Sequence, residues 1–225
     1  MPPRTRKQDD AAYAEAIRWF RQRVPVSDDD FDKLTERARA QSFRVAGVTQ
    51  LRLVDSVMRS LDKAFANGET LAKFKQRASG VLARAWGGPH PHRVEAIYRT
   101  ETQRAYMRGR YRQLTHPSTK NLRPFWIYDA VLDSSTTALC RGLNGTTLPL
   151  TDPFWKTHYP PLHHNCRSGV RALRRSDVAK RGGPTTDVPD LRPDSGFGDT
   201  PTDDGEPDIS KVDQELQGIY WRKRK

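Results

Sequence analysis

The chain has 225 residues, with 39 Lys+Arg against 27 Asp+Glu and 35% hydrophobic residues. Counted with Gly in and Tyr out, the apolar share is about 39%, below the roughly 45–50% of ordinary globular domains, so part of the chain does not feed a core. No run reaches the roughly 18 apolar residues of a membrane span, the basic start Met1-Pro2-Pro3-Arg4 lacks the apolar stretch of a secretory signal, and two cysteines make no disulfide framework. Together these read as a soluble protein of a reducing compartment.

Charge is unevenly distributed. Residues 1–182 carry a net +16 and residues 183–225 a net −4. The basic body favours polyanions, chiefly nucleic acid bound without sequence preference; a solvated basic surface, or one matched to an acidic partner, is the alternative.

Tyr13 to Val24 reads as a short helix stopped by Pro25. Ser27 then stands as an N-cap, with Asp28, Asp29 and Asp30 in the first turn. Apolar residues follow at spacings of three and four, from Phe31 and Leu34 through Val45, Val48, Leu51, Val54, Met58 and Leu61 to Phe65. This periodicity predicts one long amphipathic helix ended by Asn67-Gly68. Leu71 to Ala85 predicts a third helix closed by Gly87-Gly88-Pro89, and about Pro91 to Leu114 a fourth. The stripe of the fourth includes Glu101 and Arg108 where aliphatic residues belong. A carboxylate on that face needs a partner, and Arg167 or Arg171 is the expected one.

After Lys120 the character changes. Pro124–Leu132 is aromatic and β-branched, as a strand is. Gly142 and Asn144-Gly145 predict a turn into a second strand near Thr146–Leu150, and Gly169–Leu173 a third. Residues 182–208, with five Gly, five Pro and eight acidic residues, cannot offset their ordering entropy and are expected to be flexible. Leu216, Ile219, Tyr220 and Trp221 before Arg222-Lys223-Arg224-Lys225 form either a docking peptide or a frayed tail. The fold class expected is α+β: a helical region over 1–88, a helix plus small loop-rich β module over 89–176, and a flexible acidic tail over 177–225.

The chemistry-bearing residues concentrate in the β module. Cys140, His163 and Cys166 offer thiolate and imidazole donors that suit zinc, and a structural site needs four ligands. His158, His164 or Asp133 would supply the fourth. The alternative is two small buried cysteines with His163 bonded to a loop carbonyl. A disulfide, a catalytic Cys–His pair and a metal-dependent nuclease built on His163-His164-Asn165 are the remaining readings.

Arg99-Thr100-Glu101-Thr102-Gln103-Arg104-Ala105 resembles the R-T-E-x-x-x-A helix of the phage Mu F-like minor head proteins, the phage head morphogenesis family. Asp133/Thr136/Cys140/Leu143/Gly145 is similar to that family's D-x-x-T-x-x-x-C-x-x-L-x-G segment. Pro160/Pro161/His163/Asn165/Cys166/Arg167 follows as its P-P-x-H-x-N-C-R. The likeness covers roughly 90–175. Thr137 and Ser168 stand where cysteine-rich members carry two further cysteines.

The resemblance implies a non-enzymatic minor capsid or head morphogenesis protein of a double-stranded DNA phage or prophage. It would reside in the virion head, and in host cytoplasm during assembly. Its implied partners are portal, major capsid or scaffold proteins and double-stranded DNA bound non-specifically; no cofactor is required, zinc being the one candidate. A nuclease or toxin acting through His163/His164 is the alternative of a different class.

Overall fold

A computed structural model describes residues 14, 16–34, 39, 42–200, 214 and 217–218. It is α+β, and Ala14–Thr102 and Gln103–Pro201 form two compact units.

In the first unit, residues 16–22 form helix α1. The expected long helix from Ser27 to Phe65 is not there. Ser27 does cap a helix, accepting from the Asp30 amide at 3.2 Å, but that helix, α2 (Asp28–Phe31), is a single turn. Strand β1 (Val24–Pro25) pairs in parallel with β2 (Ser42–Phe43), residues 44–50 form a loop, and the long helix of this stretch is α3 (Leu51–Ala66). Gly47, at φ 74°, takes a conformation that breaks a right-handed helix. The Asp28 carboxylate accepts from its amide at 2.9 Å and pairs with Arg44 at 3.0 Å. The acidic turn therefore holds a loop, and Val45 and Val48 are buried from that loop. Three-to-four spacing reports which residues are buried, and a loop folded onto a core can mimic it.

The next two helices follow the sequence expectation. α4 (Leu71–Trp86) is capped by the Thr70 hydroxyl and ends at Gly87 in the left-handed region, φ 70°. α5 runs Pro91–Thr115. α3 and α4 pack on each other, and Phe20 is the hub of an aromatic cluster, edge-on to Phe43 (5.9 Å) and Phe65 (4.8 Å).

The second unit takes the α5 residues from Gln103 onward, followed by α6 (Pro117–Leu122). Its sheet has the antiparallel order β4 (Thr147–Pro149), β3 (Phe125–Asp129), β5 (Gly169–Leu173). Alternation sorts the side chains of β3. Trp126 and Tyr128 join the main core with Met107, Leu114, Leu148, Val170 and Ala172, while Ile127 packs with Leu173 and with Val178 of α8 (Arg175–Ala179) on the other face. Helix α7 (Ala138–Leu143) lies between β3 and β4 in the chain.

The segment expected to be flexible from 182 onward is docked through residue 200. Thr185 and Thr147 exchange two hydrogen bonds (2.8 and 2.9 Å), and Val188 and Leu191 pack against the core. Tyr159 N–H donates to Gly198 O at 2.8 Å, and Gly198 N–H to Pro161 O at 3.0 Å. Low apolar content does not prevent a chain from docking when its backbone groups find ladder-like partners. Leu216, Ile219, Tyr220 and Trp221 lie outside the described residues. Among the described residues, no helix is long and apolar enough to cross a membrane.

Candidate functional site

The thiol–imidazole cluster is assembled from one helix start, one strand and one proline-bounded loop. Thr137 caps α7, its hydroxyl accepting from the Cys140 amide at 3.3 Å, which places Cys140 in the first turn facing the core. Tyr128 of β3 brings its phenol to 3.2 Å from Cys140 Sγ. The loop enters through the cis Pro160–Pro161 bond, with Pro161 buried, and turns at Asn165, φ 58°, to deliver His163 and Cys166.

Cys140 Sγ and Cys166 Sγ are 3.8 Å apart, both thiols free and buried. His163 Nε2 lies 3.1 Å from Cys140 Sγ and 3.1 Å from the Thr137 hydroxyl. Its Nδ1 lies 2.7 Å from the His164 carbonyl oxygen. A carbonyl can only accept, so Nδ1 carries the proton, and in the neutral ring Nε2 presents its lone pair to the sulfurs. The Cys140 thiol is pushed up to about 12 by its hydrogen bond with Cys166, with burial adding to it. Cys166 is drawn down to about 6, chiefly by the same contact, against burial and with help from the Leu162 and Ser168 backbone N–H groups and the Ser168 hydroxyl. The contact opposes ionisation of both thiols together, so the two titrate as a coupled pair.

The three donors named from the sequence come together, with their ligand atoms all within 4.8 Å of one another. The three candidates for a fourth do not join them. His158 Nε2 is 2.7 Å from Leu191 O and its ring stacks on Phe154; His164 sets its ring edge-on to Phe197 at 4.9 Å; Asp133 is committed to Arg167. The adjacent histidines of the nuclease reading thus engage different partners.

The other motif residues support this loop or lie elsewhere. Arg167 grips Asp133 with two hydrogen bonds of 2.6 Å. Asp133 also accepts from the Ser135 amide at 2.8 Å, and Thr136 accepts from the Asp133 amide at 2.9 Å. This exposed knot holds the Asp133 carboxyl far below the usual carboxylate range, the Arg167 contact being the largest cause. Gly145, φ 87°, makes the turn that donates to Tyr128 O at 2.9 Å and returns the chain as β4. Gln103 Nε2 donates to Ser168 O at 2.6 Å.

In the other compact unit, Arg99 is exposed and pairs with Glu95 at 2.8 Å, and Thr100 is buried. Glu101 is buried against Arg23. The expectation of Arg167 or Arg171 as its partner is therefore corrected: Arg167 serves Asp133, and Arg171 pairs with Asp129 across β3–β5 at 2.7 Å. Tyr128 was not singled out from the sequence as part of the cluster; period-two alternation with Trp126 was the available signal.

With these motifs in place, the chain resolves to a class. It belongs to the Phage Mu protein F like family, which matches residues 55–171, just over half of the sequence. It is 30% identical over 197 residues to the "Putative capsid assembly protein F" of Escherichia phage Mu, an overlap of 77% of this chain and 44% of that protein. Over 160 residues it is 32% identical to the "Mu-like prophage FluMu F protein" of Haemophilus influenzae, covering 65% of this chain and 38% of that one. The chain spans less than half the length of these curated relatives. No solved structure matches it.

Proposed function

We propose that this chain is a minor, non-enzymatic component in the assembly of a double-stranded DNA phage or prophage head, working beside the portal and the packaged DNA. The observation that carries this reading is family membership across 55–171, joined by a relative whose name is a capsid assembly protein. The net charge of +12 supports a place next to packaged DNA through non-specific counterion release. Its partners are portal, major capsid or scaffold proteins, and its path runs from host cytoplasm during assembly to the virion head.

Quantitative mass spectrometry of purified particles and assembly intermediates tests the reading. The expected result is a low, reproducible copy number relative to portal and major capsid protein. Complete absence from both would overturn it. Filter binding to duplex DNA across a salt series tests the placement beside the genome: affinity should fall steeply with salt and show no sequence preference.

A further inference from the structure

We propose that Cys140, His163 and Cys166 form a mononuclear site for zinc or a similar soft divalent cation, clipping α7 to the 160–168 loop and leaving the fourth position to water.

Geometry carries the inference. Two thiolates on a tetrahedral zinc, with Zn–S near 2.3 Å, sit about 3.8 Å apart, and the two sulfurs are separated by 3.8 Å. An imidazole nitrogen and a thiolate on the same ion sit about 3.5 Å apart; His163 Nε2 is 3.1 Å from Cys140 Sγ, a few tenths of an ångström short. The ring is already oriented for ligation, with Nδ1 donating to the His164 carbonyl as metal-bound histidines do through their second nitrogen. The ligands come from two segments 26 residues apart, so one ion would cross-link parts of the fold that no covalent bond joins.

Sulfur and imidazole donors select against hard cations such as calcium and magnesium, which require oxygen. Both sulfurs ligate as thiolates, so whatever protons the two thiols carry leave to solvent on binding. Three protein donors fall one short of a closed structural site. The Thr137 hydroxyl, 3.1 Å from Nε2, and the Ser168 hydroxyl, hydrogen-bonded to both sulfurs, stand beside the ligand atoms and are placed to hold a water at the fourth position. A cysteine at either position would supply a fourth protein ligand.

The experiment uses the full chain, purified reduced and freed of metal, titrated with Co²⁺ and then Zn²⁺. The expected result is about one ion per chain by elemental analysis, with cobalt spectra showing thiolate charge transfer and tetrahedral d–d bands. Cys140→Ser and His163→Ala should weaken binding by more than the roughly 10–100-fold that an outer-shell change costs. Because these variants can unfold, Ser168→Cys provides the opposite test: a third thiolate should tighten binding and intensify the charge-transfer band. A chain whose cobalt spectrum lacks thiolate bands overturns the proposal, as does an affinity unchanged by Cys140→Ser with no gain from Ser168→Cys. Recovery of a Cys140–Cys166 disulfide from freshly lysed cells overturns it as well.

Discussion

Arg23 and Glu101, 78 residues apart in sequence, form an ion pair with side chains only 6% and 7% exposed. The same guanidinium donates from Nε to Ser42 O at 2.9 Å and lies over the rings of Trp19 (5.0 Å) and Phe43 (5.4 Å). One side chain thus ties together α1, the β1–β2 pairing and the R-T-E stretch of α5.

Glu101→Ala leaves the Arg23 charge buried beside a cavity, and should destabilise the chain by about 3–5 kcal/mol. A double variant that replaces both members with aliphatic residues of similar volume should recover most of that loss, because the desolvation penalty goes with the charges. Urea midpoints for the wild type, both single variants and the double variant decide it. An unshifted midpoint in Glu101→Ala would mean that the pair is not buried in solution.

Gly198 is held at φ 88°, and a Cβ there would stand 2.1 Å from the Thr157 carbonyl oxygen. Gly198→Ala should therefore cost more than the roughly 1–3 kcal/mol of backbone strain alone. Gly145→Ala, at φ 87° with open space around it, should cost only the strain, on the order of 1 kcal/mol. Limited proteolysis supplies an independent readout: cuts within 182–200 should be slow in the wild type and fast in Gly198→Ala. Equal cutting rates would contradict docking of this segment.

Tyr159 is fully buried and its hydroxyl donates to Met107 O at 3.1 Å. Burial raises its ionisation well above the ordinary tyrosine value. A group whose folded pKa exceeds its unfolded one contributes fully below the unfolded value, near pH 10, and its contribution is lost as pH rises toward the folded value. Stability should thus fall above about pH 10. Tyr159→Phe should flatten that decline while costing about 1 kcal/mol at neutral pH for the lost hydrogen bond. Parallel denaturation series at pH 7 and at alkaline pH measure both effects.

Asp133 shifts in the opposite sense. Its folded pKa is depressed by Arg167, so its contribution is present above the unfolded value, near pH 4, and is lost as pH falls toward the folded value. Asp133→Asn should remove part of the acid-side slope. Because the pair is exposed, the effect should be small and should shrink further in high salt. An acid slope identical in the two proteins would show that the knot does not constrain the folded state.

Much of the architecture was legible in the residues. Gly87 marks the end of α4, as the Gly87-Gly88-Pro89 run predicted, because a left-handed C-cap satisfies backbone groups locally. The aromatic, β-branched run Pro124–Leu132 supplied the central strand, over Phe125–Asp129. Cys140, His163 and Cys166 converge as their shared placement in the proline-rich β module suggested. The failures share a cause. The long helix across 27–65 was inferred from burial periodicity, which the loop holding Val45 and Val48 also satisfies. Arg171 was a reasonable partner for Glu101 by charge, but its register on β5 sets it beside Asp129.

Properties decided over a turn or two of chain, namely helix ends, strand alternation, charge distribution and the donor types gathered in one module, follow from the amino-acid order, because their energies come from neighbours within a few residues. Which arginine answers Glu101, that 182–200 lies down on the sheet unit, and that Thr137, Tyr128 and Ser168 surround the two sulfurs were settled only by the tertiary fold. Those pairings join residues tens of positions apart, and many partners of equal charge or polarity compete for each. Local preference cannot rank them; packing does, by burying one choice and leaving the others in water.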